Sequence, residues 1–182
     1  MSVILECNSV IVKNTKIIND YPGGMDGFMN SLPGGHNCTD GEITRVGFMD
    51  PDDVKKYVQF LESLGLVFEK DDKAIDICVI DSYYGPWIDC DWLDAGEFFP
   101  KDYPNKRLLF ARFVGSKLKK VEKLNDIVVP EVWTIDTTFS DDDYEPTTLE
   151  DVEYIGKEGD LDVYFDKKIG KKVYVGRPLI DE

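Results

Sequence analysis

Four side chains in the segment 33–42, PGGHNCTDGE, have the types that a nucleophilic site needs: His36, Cys38, Asp40 and Glu42. A cysteine nucleophile requires a nearby base, which the imidazole could supply, and a carboxylate that orients the base. Side chains two residues apart on an extended chain point to one side, but their tips diverge, so the spacing fixes no hydrogen-bonded relay. The sequence around Cys38 also lacks the local signature of a known cysteine-enzyme family.

The same segment is typical of a turn. Asn37, Asp40 and Gly41 are residue types that turns favour, and TDGE is a common lead into a following strand. The turn is the simpler interpretation of the segment, and catalysis by the four side chains is the alternative hypothesis.

A second segment, 82–100, combines aromatic and acidic side chains and contains no lysine or arginine. Tryptophan and tyrosine supply large, rigid contact areas, and neighbouring carboxylates attract the basic side chains of a partner. The same residues could instead line a small-molecule cleft or cover the sheet beneath them. The candidate partner- or ligand-binding residues are Tyr84, Trp87, Asp89, Asp91, Trp92 and Asp94.

The sequence predicts no metal site and no cofactor. One histidine is too few for the common histidine zinc sites, and the four cysteines form no C-x-x-C pair. The acidic run 141–145 lacks the alternating ligands and the glycine of an EF-hand loop. The glycine-rich phosphate-binding motifs and the G-x-S-x-G nucleophile motif are also absent from the sequence.

The formal net charge of -15 narrows the classes of partner. Nucleic acids and anionic membrane surfaces attract basic proteins, so neither is expected to bind this chain. A basic protein partner is favoured, because opposite charges steer encounter. Acids concentrate in 74–100 and 136–156, two stretches without lysine or arginine, and the sequence leaves open whether they form one surface. Without an apolar run of about 18 residues or a basic leader, the expected location is the cytoplasm.

The clearest structural unit spans 42–81, in the order strand, helix, strand, strand. Strand 42–49 leads into a helix at about 51–64, with Asp50 at the N-cap, Pro51 in the first turn and an apolar stripe. Strands 66–70 and 74–81 flank a hairpin-like turn at 71–73. Elsewhere the patterns predict a strand at 3–14, a short helix at 25–32, a strand at 107–115 and a hairpin of 161–166 with 171–176. We expect a single α+β domain over 1–182, with a mainly antiparallel sheet, one long helix packed on it and few other helices.

Two segments, CTDGEITRVGFMDPDDVKKYVQFLESLGLVF (38–68) and GPWIDCDWLDAG (85–96), resemble a family of uncharacterised bacterial proteins. The resemblance extends to the ending GDLDVYFDKKIGKKVYVGR. It implies one domain and carries no known activity or catalytic residue. The order of elements in 42–81 is also similar to one module of the vicinal-oxygen-chelate (glyoxalase-like) fold. The metal sites of that fold use histidine and glutamate ligands on several strands.

The sequence therefore predicts a non-enzymatic, cytoplasmic protein of bacterial type that binds a basic protein partner through an acidic and aromatic surface. Immunity proteins that neutralise nuclease toxins are a class with this kind of charge. The alternative is a small enzyme or ligand-binding protein with a cleft near 83–99 and a reactive cysteine, Cys38 or Cys90. The binding hypothesis requires that Trp87 and Trp92 expose substantial area.

Overall fold

The computed structural model describes residues 1–32, 37–117, 120–137, 150–159, 161–168 and 170–176. The helices are α1 (Asn14–Asp20), α2 (Gly24–Ser31) and α3 (Pro51–Ser63), with 3-10 turns at Leu124–Asp126 and Ile135–Thr137. Strands β1 to β7 are Ser2–Leu5, Asn8–Lys13, Asn37–Thr39, Ile43–Phe48, Glu69–Lys70, Lys73–Ala74 and Ile77–Asp81. Strands β8 to β14 are Gly85–Pro86, Leu93–Phe98, Leu108–Phe113, Ile127–Val128, Val152–Glu158, Leu161–Asp166 and Lys171–Gly176.

The strand predicted at 3–14 is divided into β1 and β2 by Glu6 and Cys7. Cys7 has a φ of 52°, a left-handed conformation that residues other than glycine rarely adopt. The break sends β1 and β2 into different sheets. The continuous apolar stretch therefore supplies strands to two sheets, on either side of the break at Cys7.

The described strands form four sheets, so the predicted fold with a single sheet is wrong. β3, β4, β2, β7 and β8 form, in that order, an antiparallel five-stranded sheet. A four-stranded sheet has the order β11, β1, β10, β9, in which only β1 and β11 are parallel. β12, β13 and β14 form a third sheet, and β5 with β6 a two-stranded hairpin.

The predicted helix content is also wrong, because α3 is one of three α-helices in the described ranges and no single helix dominates. α2 agrees with the short helix predicted at 25–32, whereas α1 was not predicted. α1 has no side-chain cap, and its two adjacent β-branched isoleucines favour a strand locally. It forms because Ile17 is fully buried against the sheet, which is a tertiary effect.

The start of α3 and its buried face are those that the local sequence signals predicted. The Asp50 side chain accepts a hydrogen bond from the Asp52 N–H at 2.8 Å, and Pro51 occupies the first turn. The buried stripe packs on the five-stranded sheet and consists of Val54, Tyr57, Val58 and Leu61. Cap, proline and stripe all lie within the helix itself, which is why its position could be predicted.

The five-stranded sheet separates two hydrophobic clusters. On β2, Val10 and Val12 point to the three helices, and Ile11 points to the four-stranded sheet. We call these two sides the helix face and the sheet face. The strands of the five-stranded sheet are therefore the middle layer between helices and a second sheet.

No helix in the described part of the chain is long and apolar enough to cross a membrane.

Candidate functional site

Three aromatic side chains at the end of β7 are exposed to solvent and form what we call the aromatic platform: Tyr83, Tyr84 and Trp87. The Asp81 side chain accepts hydrogen bonds from the N–H groups of Tyr83 and Tyr84, at 2.7 and 2.9 Å, and holds the turn. The two tyrosine rings meet edge to face at 4.8 Å. Tyr84 is 74% exposed and Trp87 is 36% exposed. The two tyrosines of the platform thus stand on a turn that hydrogen bonds fix, and Trp87, which follows β8, is held by its N–H bond to the Val79 carbonyl at 2.9 Å.

Trp92, the second tryptophan predicted at the binding surface, lies in the core instead. It is only 9% exposed and packs in the cluster on the sheet face. Its indole N–H donates to the carbonyl of Ala74 at 3.0 Å, and the Lys13 ammonium lies 4.7 Å from the ring centroid. A buried indole whose N–H is satisfied supports the fold and offers little area to a partner.

The predicted acidic side chains are exposed, but basic side chains from outside the segment pair with them. The Lys73 ammonium contacts Asp91 and lies 3.9 Å from a carboxylate oxygen of Asp89. Asp94 accepts a hydrogen bond from the Arg112 guanidinium at 2.6 Å. Glu97, in the same segment, likewise pairs with Arg107 at 2.7 Å. The segment has no basic residue in sequence, yet tertiary structure supplies at least three. Its local charge is therefore less negative than the sequence alone suggests.

The predicted nucleophilic segment is only partly described, since His36 lies outside the described residues. Cys38 is in β3 and is buried, and this burial raises the pKa of its thiol to about 11. Asp40 accepts hydrogen bonds from the N–H groups of Glu42 and Ile43 at 2.9 and 3.0 Å. A carboxylate used in this way closes a turn, and Glu42 is exposed beside it. The described geometry therefore favours the turn over the catalytic interpretation.

Two cysteines that the sequence did not connect belong to the cluster on the sheet face: Cys78 of β7 is buried in it, and the half-buried Cys90 after β8 packs against it. Hydrogen bonding with the Cys78 thiol, and then with the N–H groups of Trp92 and Leu93, lowers the pKa of Cys90. The same thiol interaction and burial raise the pKa of Cys78. In the sequence, only the short strand-and-turn segment between the two cysteines indicated that they could lie near each other. No C-x-x-C motif marks the pair.

Comparisons of the chain with protein-family models, curated proteins and solved structures found no match. The resemblance to a bacterial family of unknown function therefore stays a prediction. Within the described ranges, no group of three or more histidine, cysteine, aspartate or glutamate side chains could hold a metal ion. The acidic run 141–145 lies outside the described residues. Of the predicted site residues, the aromatic platform has the best-defined geometry.

Proposed function

We propose that the protein is a cytoplasmic, non-enzymatic binding module that engages a basic protein partner through the aromatic platform and the acids beside it. The observation that carries the proposal is the exposure of Tyr83 and Tyr84 on a hydrogen-bonded turn, with the exposed Trp87 three residues after it. Tyrosine and tryptophan are the residue types that most often contribute large binding energies at protein interfaces. Three of them within five positions form a local anchor for a partner.

The fixed geometry of the turn favours binding as well. A side chain that is already ordered loses less conformational entropy when a partner covers it. The two bonds to Asp81 order the backbone, and the edge-to-face contact orders the tyrosine rings. The platform therefore enters a complex with part of the entropic cost already met in the free protein.

Charge makes a basic partner the best fit. The Asp89 and Asp91 carboxylates are exposed and share the single ammonium of Lys73, so one negative charge of this trio remains uncompensated. The net charge of -15 adds a long-range attraction that salt screens over about 10 Å at 0.1 M. Proteins that bind nucleic acid present basic surfaces, so a nuclease toxin is one partner class that fits this charge.

Site-specific photo-cross-linking in the native host tests the proposal. A photoreactive phenylalanine analogue replaces Tyr84, and the matched control places it at Tyr154, an exposed tyrosine of β12. We expect a discrete adduct with a basic protein from position 84 and none from position 154. The adduct should weaken when the cross-linking is repeated in lysate at high salt, and when Trp87→Ala is added.

Equal adducts from both positions would contradict the proposal, as would a partner of acidic charge. Absence of any adduct from position 84, with the analogue shown to be incorporated and photoactive, would also contradict it. Circular dichroism of each purified variant confirms that the substitution has not unfolded the protein.

A further inference from the structure

β9 is an end strand of the four-stranded sheet, and among the described strands it pairs only with β10. The pairing keeps one register over the whole of β9, without a bulge. Just before β9, the Trp92 carbonyl accepts a hydrogen bond at 2.9 Å from the N–H of Val114, which the register places opposite it. Because hydrogen-bonded pairs alternate with non-hydrogen-bonded pairs in an antiparallel ladder, this bond fixes which residues of β9 bond to β10. They are Asp94, Gly96 and Phe98.

The remaining residues of β9, Leu93, Ala95 and Glu97, turn their N–H and carbonyl groups away from β10. The Leu93 N–H interacts with the Cys90 sulfur, which agrees with this direction. No described strand accepts from the N–H groups of Ala95 and Glu97 or donates to the carbonyls of the three residues. β9 therefore presents an open row of backbone donors and acceptors.

The other edges of the described sheets carry features that discourage pairing. β3, β5, β6, β8 and β11 are only two or three residues long, and β8 ends at Pro86. β12 has a bulge between Tyr154 and Gly156, and β14 begins with Lys171 and Lys172. Short strands, prolines, bulges and lysines are the means by which proteins protect a sheet edge. β9 is six residues long, keeps its register, and its sequence LDAGEF contains neither lysine nor proline.

The acidic side chains of β9 protect this edge poorly, because each already has an arginine. Asp94 accepts a hydrogen bond from the Arg112 guanidinium at 2.6 Å, and Glu97 accepts one from Arg107 at 2.7 Å. Ala95, between them, is small and exposed, which leaves room for a second backbone. The edge is thus close to neutral, although the whole chain has a net charge of -15.

We propose that β9 is the interface of a homodimer, in which the β9 strands of two copies pair antiparallel around a two-fold axis at Ala95. The four-stranded sheets of both copies then continue into each other across the axis. This role uses a different strand from the aromatic platform and does not rest on the proposed partner binding.

The outward residues of β9 are self-complementary in this register. Ala95 of one copy lies opposite Ala95 of the other, and their backbones exchange two hydrogen bonds. Each Glu97 N–H donates to the Leu93 carbonyl of the other copy. Asp94 of one copy lies opposite Gly96 of the other, and Glu97 lies opposite Leu93, so no two carboxylates face each other directly. Like charges directly opposite each other would destabilise the pairing.

The arrangement closes at two copies. A two-fold interface uses the same surface of both partners, so the open edge of each β9 is consumed. At the other end of each four-stranded sheet is β11 (Ile127–Val128), which is two residues long and is soon followed by Pro130. Phe99, which follows β9, is 50% exposed and adds apolar area beside the paired strands.

Analytical ultracentrifugation of the full chain tests the proposal. We expect the average mass to rise with concentration from that of one chain to that of two. The dimer should be more populated at high salt than at low salt, because salt screens the repulsion between two copies that each carry a net charge of -15. Binding to a basic partner should have the opposite salt dependence, so the two proposals can fail separately.

A charged substitution at the axis provides the decisive variant. Ala95→Lys brings two ammonium groups face to face in the dimer, and we expect this variant to stay monomeric at concentrations where the unmodified chain is dimeric. Ile155→Lys is the matched control, since it places the same charge at a 46% exposed position of the bulged edge strand β12. It should dimerise as the unmodified protein does. Circular dichroism confirms that both variants are folded.

Hydrogen exchange measured by mass spectrometry needs no variant. The N–H groups of Ala95 and Glu97 are open in the monomer and hydrogen-bonded in the dimer, so their exchange should slow as the protein concentration rises. Exchange in β12 should not depend on concentration.

A chain that is monomeric at every concentration and salt would overturn the proposal, as would equal dimerisation of Ala95→Lys and the unmodified protein. Equal loss of the dimer in Ala95→Lys and Ile155→Lys would also overturn it. If the purified chain is monomeric and a photoreactive residue at position 95 captures another protein in the native host, β9 is the docking strand of that protein and self-pairing is wrong.

Discussion

The two faces of the five-stranded sheet differ in the chemistry of what they bury. On the helix face the buried cluster consists of aliphatic and aromatic side chains such as Val10, Phe28 and Leu61. On the sheet face the cluster contains Cys38, Cys78 and, at its margin, Cys90. The same strands, β2, β4 and β7, contribute to both faces by alternation. One face is thus built for packing alone, while the other combines packing with reactive groups.

Arg45 shows how far this difference extends. It is buried on β4, donating from Nε to the Ser9 hydroxyl at 3.1 Å and from Nη2 to the Glu6 carbonyl at 2.9 Å. Its neighbour Val46 packs on the helix face. A buried cation on the sheet face, one residue from an aliphatic contact on the helix face, means that a one-residue register shift would disrupt both clusters.

The largest expected effect comes from the helix face. Leu61→Ala removes a fully buried side chain and should lower the free energy of unfolding by about 3 kcal/mol, measured by urea denaturation. Iodoacetamide labelling of Cys90 in the native protein should not change. Leu108→Ala, the matched deletion in the sheet-face cluster, should cost a similar amount and also accelerate the labelling. Equal labelling rates in the two variants would break the distinction between the faces.

A smaller loss is expected when the buried cation is removed. Arg45→Met removes the donor to the Ser9 hydroxyl and one of the donors to the Glu6 carbonyl, to which the Ser9 hydroxyl still donates. This loss should cost about 2 kcal/mol in unfolding free energy. Arg112→Met is the control, because Arg112 pairs with the exposed carboxylate of Asp94. Its cost should be about 1 kcal/mol or less. Equal losses of unfolding free energy in the two variants would mean that the burial of Arg45 adds nothing to its contribution to stability.

Alkaline pH should lower the free energy of unfolding through Cys38, a thiol buried on the sheet face. The pKa of Cys38 is raised from 9.0 to about 11, so the unfolded chain loses this proton first and folding stability falls between these values. The loss is at most about 1.4 kcal/mol per pH unit for this thiol. Below pH 9 the contribution is fully present. Denaturation of the unmodified protein and of Cys38→Ala between pH 8 and 10 measures it, and identical slopes would contradict the prediction.

The smallest effect concerns the end of a helix on the helix face. Asp50→Ala removes the cap that accepts the Asp52 N–H and should cost about 1 kcal/mol in a thermal or urea unfolding experiment. Asp52→Ala removes an exposed pair with Lys55 and should cost about 0.5 kcal/mol or less. A larger loss at Asp52 than at Asp50 would show that charge, and not the cap, fixes the start of α3.

Elements whose determinants are local could be predicted from the sequence. α3 has its N-cap, first-turn proline and buried stripe within fourteen positions of the sequence. The two strands of the hairpin β13–β14 are neighbours in the sequence and pair across a short turn. The single sheet was wrong because the break at Cys7 has no signal in an otherwise continuous apolar stretch. α1 was missed because it has no side-chain cap and depends on the burial of Ile17, which is a tertiary contact. β12 was not predicted either, since its side chains are largely exposed.

The candidate site was predictable in position but not in detail. Composition pointed to 83–99, yet it could not separate Trp87, which is exposed, from Trp92, which is buried five residues later. The pairing of Lys73 and Arg112 with the acids depends on which strands become neighbours. The presence of Cys78 and Cys90 in one cluster depends on the path after β8. Each of these outcomes requires the tertiary structure.

The separation of β1 from β2 at Cys7 has a consequence for how the chain folds during its synthesis. The five-stranded sheet and its three helices are complete once residue 86 has left the ribosome. Among the described strands, β1 pairs only with β10 and β11, which emerge after residue 86. An apolar strand whose edges are unpaired is prone to aggregation during that delay. The middle layer can therefore form early, while β1 stays unpaired until the four-stranded sheet is made.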